Sequence, residues 1–265
     1  MDAPIFDKEH MSYWPDEVRG APNAILRSSL FSVSLPPSVP NGDGGFSRPF
    51  LSRRLRSASN GIIIIYSGEP LDWHDFYVWL ELIHQSRYQA GPSMEFGMVA
   101  TSARSLLTEL GRNGSGANCK LLFESIRRLH SGTVEINAGQ YCYSGRLLDE
   151  VEPDEVTKRY RITINPDLKN LFGTNGWTGL NVEQLIKLRK KRLAKWLFCF
   201  YSSHKNTDKY LYKAITIQSI CGSVNEDLFG FRRDLKKALT DLSAATGWEC
   251  WIDKHNNVRV KKNAA

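Results

Sequence analysis

A glycine-rich stretch at residues 111–116 has the spacing of a loop that cradles nucleotide phosphates. Such a loop needs a lysine and then a serine or threonine directly after its last glycine, because these side chains reach the phosphates and the magnesium ion. Ala117 and Asn118 stand there instead, and the stretch lies between two predicted helices rather than after a strand. We therefore interpret it as a turn between helices and not as a nucleotide site.

Other side chains that could do chemistry are scattered along the chain. The six histidines are far apart, the five cysteines form no CxxC pair, and neither a GxSxG nor an HExxH motif occurs. The acidic run at residues 149–155 contains a proline and consecutive charges, which favours a solvated turn between strands over a metal site. The pattern predicts reduced thiols, no metal, no cofactor and no catalytic residue, so we expect a protein that is not an enzyme.

Positively charged side chains share one side of a predicted helix at residues 227–245. The apolar residues of this helix repeat at intervals of three and four, the spacing of one buried face. They are Leu228, Phe231, Leu235, Ala238, Leu239 and Leu242. The opposite side presents Arg232, Arg233, Lys236, Lys237 and Thr240. Because such side chains neutralise DNA phosphates and hydrogen-bond to base edges, these five are candidate DNA contacts.

The elements around this helix complete a winged helix. Residues 215–221 have the pattern of a short apolar helix, residues 222–226 of a turn, and residues 248–253 and 258–262 of two strands joined by a tight turn. In such a unit the second helix can enter a DNA major groove. The hairpin adds three candidate contacts, Lys254, Arg259 and Lys261. The alternative is a solvated helix that packs on a hairpin without binding DNA.

The same order of helices followed by strands occurs earlier in the chain. A β-branched strand at residues 61–66 precedes a helix capped by Asp72, whose bulky apolar stripe predicts core packing. Helices at residues 102–110 and 118–130 are followed by strands at residues 133–137, 140–148 and 158–165. On the second of these helices, Lys120, Arg127 and Arg128 are candidate DNA contacts. The predicted fold is therefore α+β, with two tandem winged-helix domains.

Asn165-Pro166 and the glycines at 173 and 176 mark a boundary between the two units. We predict a flexible N-terminal arm at residues 1–22, an N-terminal winged-helix domain at residues 23–172 for dimerisation and partner contacts, and a C-terminal winged-helix domain at residues 173–265 as the main DNA reader. Residues 182–204 are predicted to be strongly helical throughout. The Pro-, Gly- and Ser-rich residues 34–60 are either a solvated linker or a mobile functional loop.

Charge is unevenly distributed over the 265 residues. The formal charge of +7 divides into +12 from residue 158 onward, where 21 Lys and Arg stand against 9 Asp and Glu, and −5 before it, where 14 stand against 19. This division indicates that one part meets a polyanion and the other meets protein. No apolar run approaches the ~20 residues that span a bilayer, and the acidic N-terminus is unlike a signal peptide. We therefore expect a soluble, cytoplasmic protein.

Three segments together carry a family signature. They are WPDEVRGAPNAILRSSLF at residues 14–31, GIIIIY at residues 61–66 with LDW at residues 71–73, and FRRDLK at residues 231–236. These segments resemble the TrfA family of plasmid replication initiators. The resemblance implies a tandem winged-helix protein that binds repeated iterons at a plasmid origin, helps to open the DNA duplex and takes part in plasmid copy control. It also implies contacts with the host initiator DnaA, the replicative helicase and the sliding clamp, exchange between monomer and dimer, and a place on the plasmid or nucleoid of a bacterium.

Two other functions stay open at this point. A dimeric winged-helix transcriptional repressor would bind DNA in the same way but would need neither a helicase nor a clamp. A nuclease or recombinase would require a metal cluster or an activated tyrosine, and the sequence motifs indicate neither.

Residues 27–31 are similar to the peptides by which replication proteins bind the sliding clamp, which have the form Gln-Leu-Ser/Asp-Leu-Phe. They keep the closing Leu30 and Phe31 and a serine, but Arg27 stands where glutamine is expected. A docking peptide must be at least partly exposed, whereas the alternative makes Leu30 and Phe31 core residues of the first domain. The regular apolar composition slightly favours partial burial, and both interpretations stay open.

Overall fold

The computed structural model describes residues 14–34, 38–40, 46–59, 61–89, 97–154, 159–205, 211–225 and 227–262. The first part contains β1 (Val18–Pro22), α1 (Asn23–Leu26), β2 (Phe31–Ser32), β3 (Val39–Pro40), β4 (Phe46–Ser47), β5 (Leu51–Arg56), β6 (Ile63–Gly68), β7 (Leu71–Asp72), α2 (Trp73–Gln89), β8 (Met98–Thr101), α3 (Ala103–Glu109), α4 (Gly116–Ser131), β9 (Thr133–Ala138), β10 (Tyr141–Arg146), β11 (Leu148–Asp154) and β12 (Arg159–Ile164). A 3₁₀ helix (Pro166–Phe172) then leads to β13 (Trp177–Asn181), α5 (Val182–Lys187), α6 (Arg192–Ser202), β14 (Tyr212–Lys213), α7 (Ala214–Ile220), α8 (Leu228–Thr246), β15 (Glu249–Ile252) and β16 (Asn257–Lys261). None of the helices in these ranges is both long enough and apolar enough to cross a membrane.

The first winged helix is built from α3, α4 and two antiparallel sheets. Side-chain caps fix both helix starts, because the Ser102 hydroxyl accepts from the Ser105 amide at 3.1 Å and the Ser115 hydroxyl from the Asn118 amide at 3.4 Å. The sheets have the strand orders β10-β9-β6-β5 and β11-β12-β8. Along β6 every second side chain is buried, as expected for a β-branched strand with one face on the core.

Strand β11 corrects the interpretation of residues 149–155 as a solvated turn. It pairs antiparallel with β12, and Glu152 lies opposite Arg161 with their charged groups 3.8 Å apart. The exposed Glu150 and Glu152 alternate with partly buried residues, as on a strand with one solvated face. Opposite charges across the strand pair compensate for the acidic sequence, which on its own had suggested a turn.

The second winged helix consists of α7, α8 and the sheet β14-β16-β15. Asp227 caps α8 by accepting from the amides of Phe229 at 2.9 Å and Gly230 at 2.8 Å. Gly247 ends the helix in the left-handed conformation, with φ at 75°. Both helices and both hairpin strands lie within one residue of their predicted bounds. Apolar periodicity and turn residues were sufficient to predict this unit.

Strand β1 corrects the prediction of a flexible arm at residues 1–22, although residues 1–13 lie outside the described part of the chain. β1 pairs antiparallel with β13 along its whole length. Just before it, Trp14 is buried, and its indole N–H donates to Nδ1 of His84 at 3.1 Å. Gly20 lies under this indole, where a Cβ atom would come within 2.7 Å of the ring. A large buried aromatic side chain therefore anchors the segment.

The first half of the chain, up to residue 172, and the second half, from residue 173 onward, both contribute to a single buried cluster. Hydrogen bonds also join them, since the Trp196 indole donates to the Ser28 carbonyl at 3.4 Å and Nε of Arg27 donates to the Ser203 hydroxyl at 2.9 Å. The domain boundary between residues 172 and 173 stays a prediction. Because each half covers apolar surface of the other, tests of function need the full chain.

The prediction of uninterrupted helix at residues 182–204 is wrong. α5 ends at Lys187 and α6 begins at Arg192, with the buried Leu188 between them. Residues 189–192 are four consecutive cations, and in an uninterrupted helix the first and the last of them would share one face and repel each other. The break distributes these charges over a turn, and most of α6 is buried.

Leu30 and Phe31 are both buried core residues. The Phe31 ring lies against Phe76 and Trp79 of α2, with ring centroids 5.3 and 6.1 Å away. β2 also pairs in parallel with β7, which ties down the backbone of Phe31. Because a docking peptide has to be exposed to its partner, the clamp-binding interpretation of Leu30 and Phe31 is wrong for this fold, and their burial is complete rather than partial.

The predicted DNA contact Arg128 lies inside the first half and is only 3% exposed. Its Nη2 lies 2.7 Å from Oδ1 of the fully buried Asp75. Arg48 completes the network, with Nη1 3.2 Å from Oδ2 of Asp75 and Nη2 2.8 Å from Oδ2 of Asp72. The buried carboxylate of Asp75 requires this neutralisation, so Arg128 cannot serve as a DNA contact.

Replacing Arg128 with Met should lower the free energy of unfolding by ~3–5 kcal/mol, because it removes one partner of a buried charge. Arg127→Met is the matched control. Arg127 is exposed and pairs with Glu69 near the surface, so its loss should cost less than ~1 kcal/mol. Urea denaturation of both full-length variants measures the two values, and equal losses would contradict a special role for the buried pair.

Candidate nucleic-acid interface

The solvent face of α8 carries cations that make little or no ion pairing within the part of the chain that the structure describes. It presents Arg233, Lys236, Lys237 and Thr240, all exposed, while the apolar stripe of the helix packs into the core. Arg233 meets only the neighbouring Asp234, at 3.5 Å between exposed groups, a contact that contributes little. Within the described ranges, Lys236 and Lys237 have no carboxylate partner. Four of the five predicted α8 residues therefore form one solvated, basic surface.

Arg232 and Thr240 lie differently on this surface. Arg232 is half-buried at its edge, and its Nε is buried without a hydrogen-bond partner among the residues that the structure describes. Thr240 is exposed, and its hydroxyl donates to the Lys236 carbonyl at 3.2 Å. The lone pairs of the Thr240 oxygen stay free to accept a hydrogen bond. Arg232 thus borders the predicted interface, and Thr240 lies on it.

The hairpin β15–β16 holds its predicted cations in three different ways. Lys254 is exposed at the turn. Lys261 lies opposite Glu249, with their charged groups 3.6 Å apart in solvent. Nε of Arg259 donates to Asp253 at 2.9 Å, and Asp253 also accepts from two backbone amides of the turn. Arg259 therefore helps to hold the turn, and Lys254 and Lys261 are freer to meet a phosphate.

In the first winged helix, the structure leaves one of the three predicted contacts free. Lys120 is exposed on α4. Arg127 binds the Glu69 carboxylate with both of its Nη atoms, and this hydrogen bonding lowers the pKa of Glu69. Arg128 is buried against Asp75. The first winged helix thus offers DNA less unpaired positive charge than α8 does.

Two apolar residues at the start of α8 are exposed, and one of them, Leu228, departs from the sequence prediction. Leu228, predicted to lie on the buried face, is 36% exposed because the helix begins there, and Phe229 is 80% exposed. Phe229 precedes Arg233 by four residues and Lys236 by seven, so the three share one helix face. An exposed aromatic side chain there can contact a thymine methyl group. The helical spacing could have indicated the exposure of Phe229, because this residue falls outside the apolar stripe of the helix.

The sequence model of Replication protein C (RepC) matches residues 57–261 of this chain. The chain belongs to the RepC family. It is also 24% identical over 259 residues to the plasmid replication initiator protein TrfA of Escherichia coli. This similarity covers 91% of the chain and 60% of TrfA, so the chain spans about three fifths of the length of this curated relative. The predicted resemblance to plasmid replication initiators is confirmed.

Solved structures confirm the predicted fold. Two crystal structures of domains 2 and 3 of RctB are similar to this protein, with TM-scores of 0.56 and 0.53 at 12% and 13% identity. The first similarity covers 92% of this chain and 99% of the RctB chain, and the second covers 89% and 94%. At this level of identity the likeness concerns the fold alone, which is the α+β fold with two tandem winged helices.

Replacing both Arg233 and Lys236 with Ala should weaken binding to the cognate DNA while the protein stays folded, because both side chains are exposed. Removing a side chain that reads a base should cost ~1–3 kcal/mol and relax specificity at one position, whereas removing one that binds a phosphate should reduce the salt-dependence slope by about 1. Gel shifts at several salt concentrations separate these outcomes. Lys169→Ala/Lys187→Ala removes the same charge from exposed positions outside α8 and is the control. Equal binding by the two double variants would exclude α8 as the reader.

Proposed function

We propose that this protein initiates plasmid replication by binding directly repeated iterons at a plasmid origin and helping to open the adjacent duplex. The observation that carries the proposal is the basic, solvent-exposed face of α8 in the second winged helix of a RepC-family chain. The proposed action is binding without covalent chemistry. The similarity of the chain to TrfA, which is a plasmid replication initiator, supports the same role.

The chemistry of α8 suits DNA recognition in two steps. Arg and Lys side chains neutralise phosphates and set the register of the protein on the duplex. Groups on the same helix face then reach base edges in the major groove, where Arg233 and Lys236 can bind guanine and Phe229 can contact a thymine methyl group. Lys254 and Lys261 of the hairpin add phosphate contacts beside the groove. Binding energy gathered over several repeats is then available to deform the neighbouring duplex.

The first half, which we propose to be the partner-facing part, pairs several of its cations with its own carboxylates. Arg127 pairs with Glu69, Arg128 with Asp75, and Arg53 with Glu135. This pairing, together with the acidic balance before residue 158, supports contacts with protein rather than DNA. The proposed partners are the host initiator DnaA, the replicative helicase, the sliding clamp and a second copy of this chain. A clamp contact would need residues other than the buried Leu30 and Phe31.

Strand β5 supports the proposal of self-association. It lies at one edge of the sheet β10-β9-β6-β5, and among the described residues no further strand pairs with its outer backbone groups. Leu55 on this strand is 70% exposed, and Phe50 just before it is also exposed. An edge strand that carries exposed apolar residues is suited to pair with the same strand of a second copy.

Footprinting on a supercoiled plasmid that carries the cognate origin tests the proposed function. The protein should protect sites at the spacing of the repeats and should make thymines in the adjacent DNA reactive to permanganate. Arg233→Ala/Lys236→Ala should lose both signals, and Lys169→Ala/Lys187→Ala should keep them. Protection without reactive thymines in the presence of the host initiator would indicate a repressor instead. Nicking of the plasmid in magnesium would indicate an enzyme.

Leu55→Glu should shift the protein from dimer towards monomer, because it places a charge on the proposed edge contact. The exposed position makes a stability loss larger than ~0.5 kcal/mol unexpected. Sedimentation equilibrium of the full chain measures the change. Ile215→Glu, at an exposed apolar position on α7, is the control and should leave the dimer intact. A Leu55→Glu variant that dimerises as the wild type does would refute an interface at β5.

A further inference from the structure

A cavity of about 610 Å³ lies where the first helix-turn-helix meets α5 and α6. Its walls come from α2, from the turn after α3, from α5 and α6, and from the basic turn between these two helices. Small-molecule sites in proteins have volumes of ~300–1,000 Å³, so the cavity is of this size. The cations in its wall are Arg19, Arg112, Arg189, Lys190, Arg192 and Lys195.

Lys195 places an ammonium group in this wall with no carboxylate partner in the described part of the chain. It is 4% exposed, its Nζ lies 3.9 Å from the centre of the Tyr77 ring, and it donates to the Arg189 carbonyl at 3.3 Å. Burial, together with the nearby charges of Arg189 and Arg112, lowers the pKa of Lys195 to about 8. A buried cation of this kind destabilises a protein unless an anion neutralises it.

Arg112 and Arg189 add to the same concentration of positive charge. Nη1 of Arg189 donates to the Gly111 carbonyl at 2.6 Å, which brings its guanidinium group beside the turn that carries Arg112. Burial and the charge of Arg189 lower the pKa of Arg112. Arg112, Arg189 and Lys195 therefore converge from two parts of the chain and repel one another.

The carboxylates in the cavity wall do not balance these cations. Glu81 binds Nε of Arg19 at 2.9 Å, and Asp72 binds Nη2 of Arg48 at 2.8 Å, so both already have partners. The remaining wall carboxylate, Glu109, is exposed to solvent. The cavity wall therefore carries an excess of positive charge, and Lys195 is its buried member.

The amino end of α6 favours an anion at the same place. The helix begins at Arg192, which lines the cavity, and has 11 residues. The side chain of its N-cap residue, Lys191, makes no capping hydrogen bond, so the first amides of the helix have no side-chain acceptor there. Free N–H groups and the helix dipole make such an end a binding site for anions, phosphate above all.

We propose that this cavity binds the phosphate group of a small molecule of about nucleotide size, through Arg112, Arg189, Lys195 and the first amides of α6. Trp73 and Tyr77 also line the cavity, and their indole N–H and hydroxyl groups are buried without a partner among the described residues. These two side chains suit the organic part of the ligand. The burial of Lys195, which is 4% exposed, favours a free ligand, because a phosphate in a DNA backbone approaches a buried ammonium group less readily than the phosphate of a small molecule does. The site is independent of the proposed DNA binding.

Thermal unfolding of the full chain with pyrophosphate or with ATP tests the proposal in the absence of DNA. The unfolding midpoint should rise by about 5 °C at about 100 times the dissociation constant of the ligand. Lys195→Met should abolish this rise, and its midpoint without ligand should be no lower than that of the wild type, since the variant loses an unpaired buried charge. A purely structural lysine would give the opposite result, a lower midpoint with an unchanged ligand shift.

Arg112→Gln, in the half-exposed turn, is a second cavity variant that should lose the shift even if Lys195→Met does not fold. Lys187→Met and Arg233→Ala/Lys236→Ala remove cations outside the cavity and should retain the ligand-induced shift of the unfolding midpoint. The proposal is overturned if neither pyrophosphate nor ATP stabilises the wild type, or if the controls lose the shift as the cavity variants do. Cavity variants that bind DNA more weakly, in a protein that free phosphates do not stabilise, would assign the cavity to the DNA backbone and also overturn it.

Discussion

One buried carboxylate determines how the first half is assembled. Asp75, near the start of α2, accepts from Arg128 of α4, from Arg48 before β5 and from the backbone amide of Asp72. These groups belong to different segments, so neutralising a single charge holds α4 and the chain before β5 against α2. The helix-turn-helix of the first half, including the turn that carries Arg112, depends on this placement. A charge that is costly to bury thereby specifies an arrangement that apolar contacts alone would leave less defined.

The two halves differ in how they use positive charge more than in how much they have. In the first half, arginines bind nearby carboxylates, as Arg19 binds Glu81 and Arg127 binds Glu69. In the second half, Lys236 and Lys237 project from α8 without such partners among the residues described. At the cavity, Lys195 represents a third class of cation, which is buried and has no carboxylate partner among the residues described. The same residue types therefore serve internal cohesion, the proposed DNA recognition and the proposed ligand binding in different surroundings.

Local signals account for what the sequence predicted well. The apolar period of α8, its cap at Asp227 and the turn before β16 all act within a few residues, so their effect is visible without the rest of the fold. The missed features are non-local. Nothing near β1 indicates its pairing with β13, and nothing on α4 shows that Arg128 rather than Arg127 turns toward Asp75, 53 residues away. Lys195 lies within residues 182–204, which were predicted to be one continuous helix, and no local signal shows that its side chain is buried.

The pairing of β1 with β13 has a consequence for how the protein is made. Val18 pairs with Asn181, which leaves the ribosome roughly 160 residues later. At ~5–20 residues per second, the first strand waits on the order of 10–30 s for its partner. During that time the apolar surface around Trp14 and the open edge of β1 are uncovered, and they attract chaperones or other nascent chains. The segment around β1 is therefore covered only after β13 has been synthesised, and the translation speed up to that point sets how long this surface stays exposed.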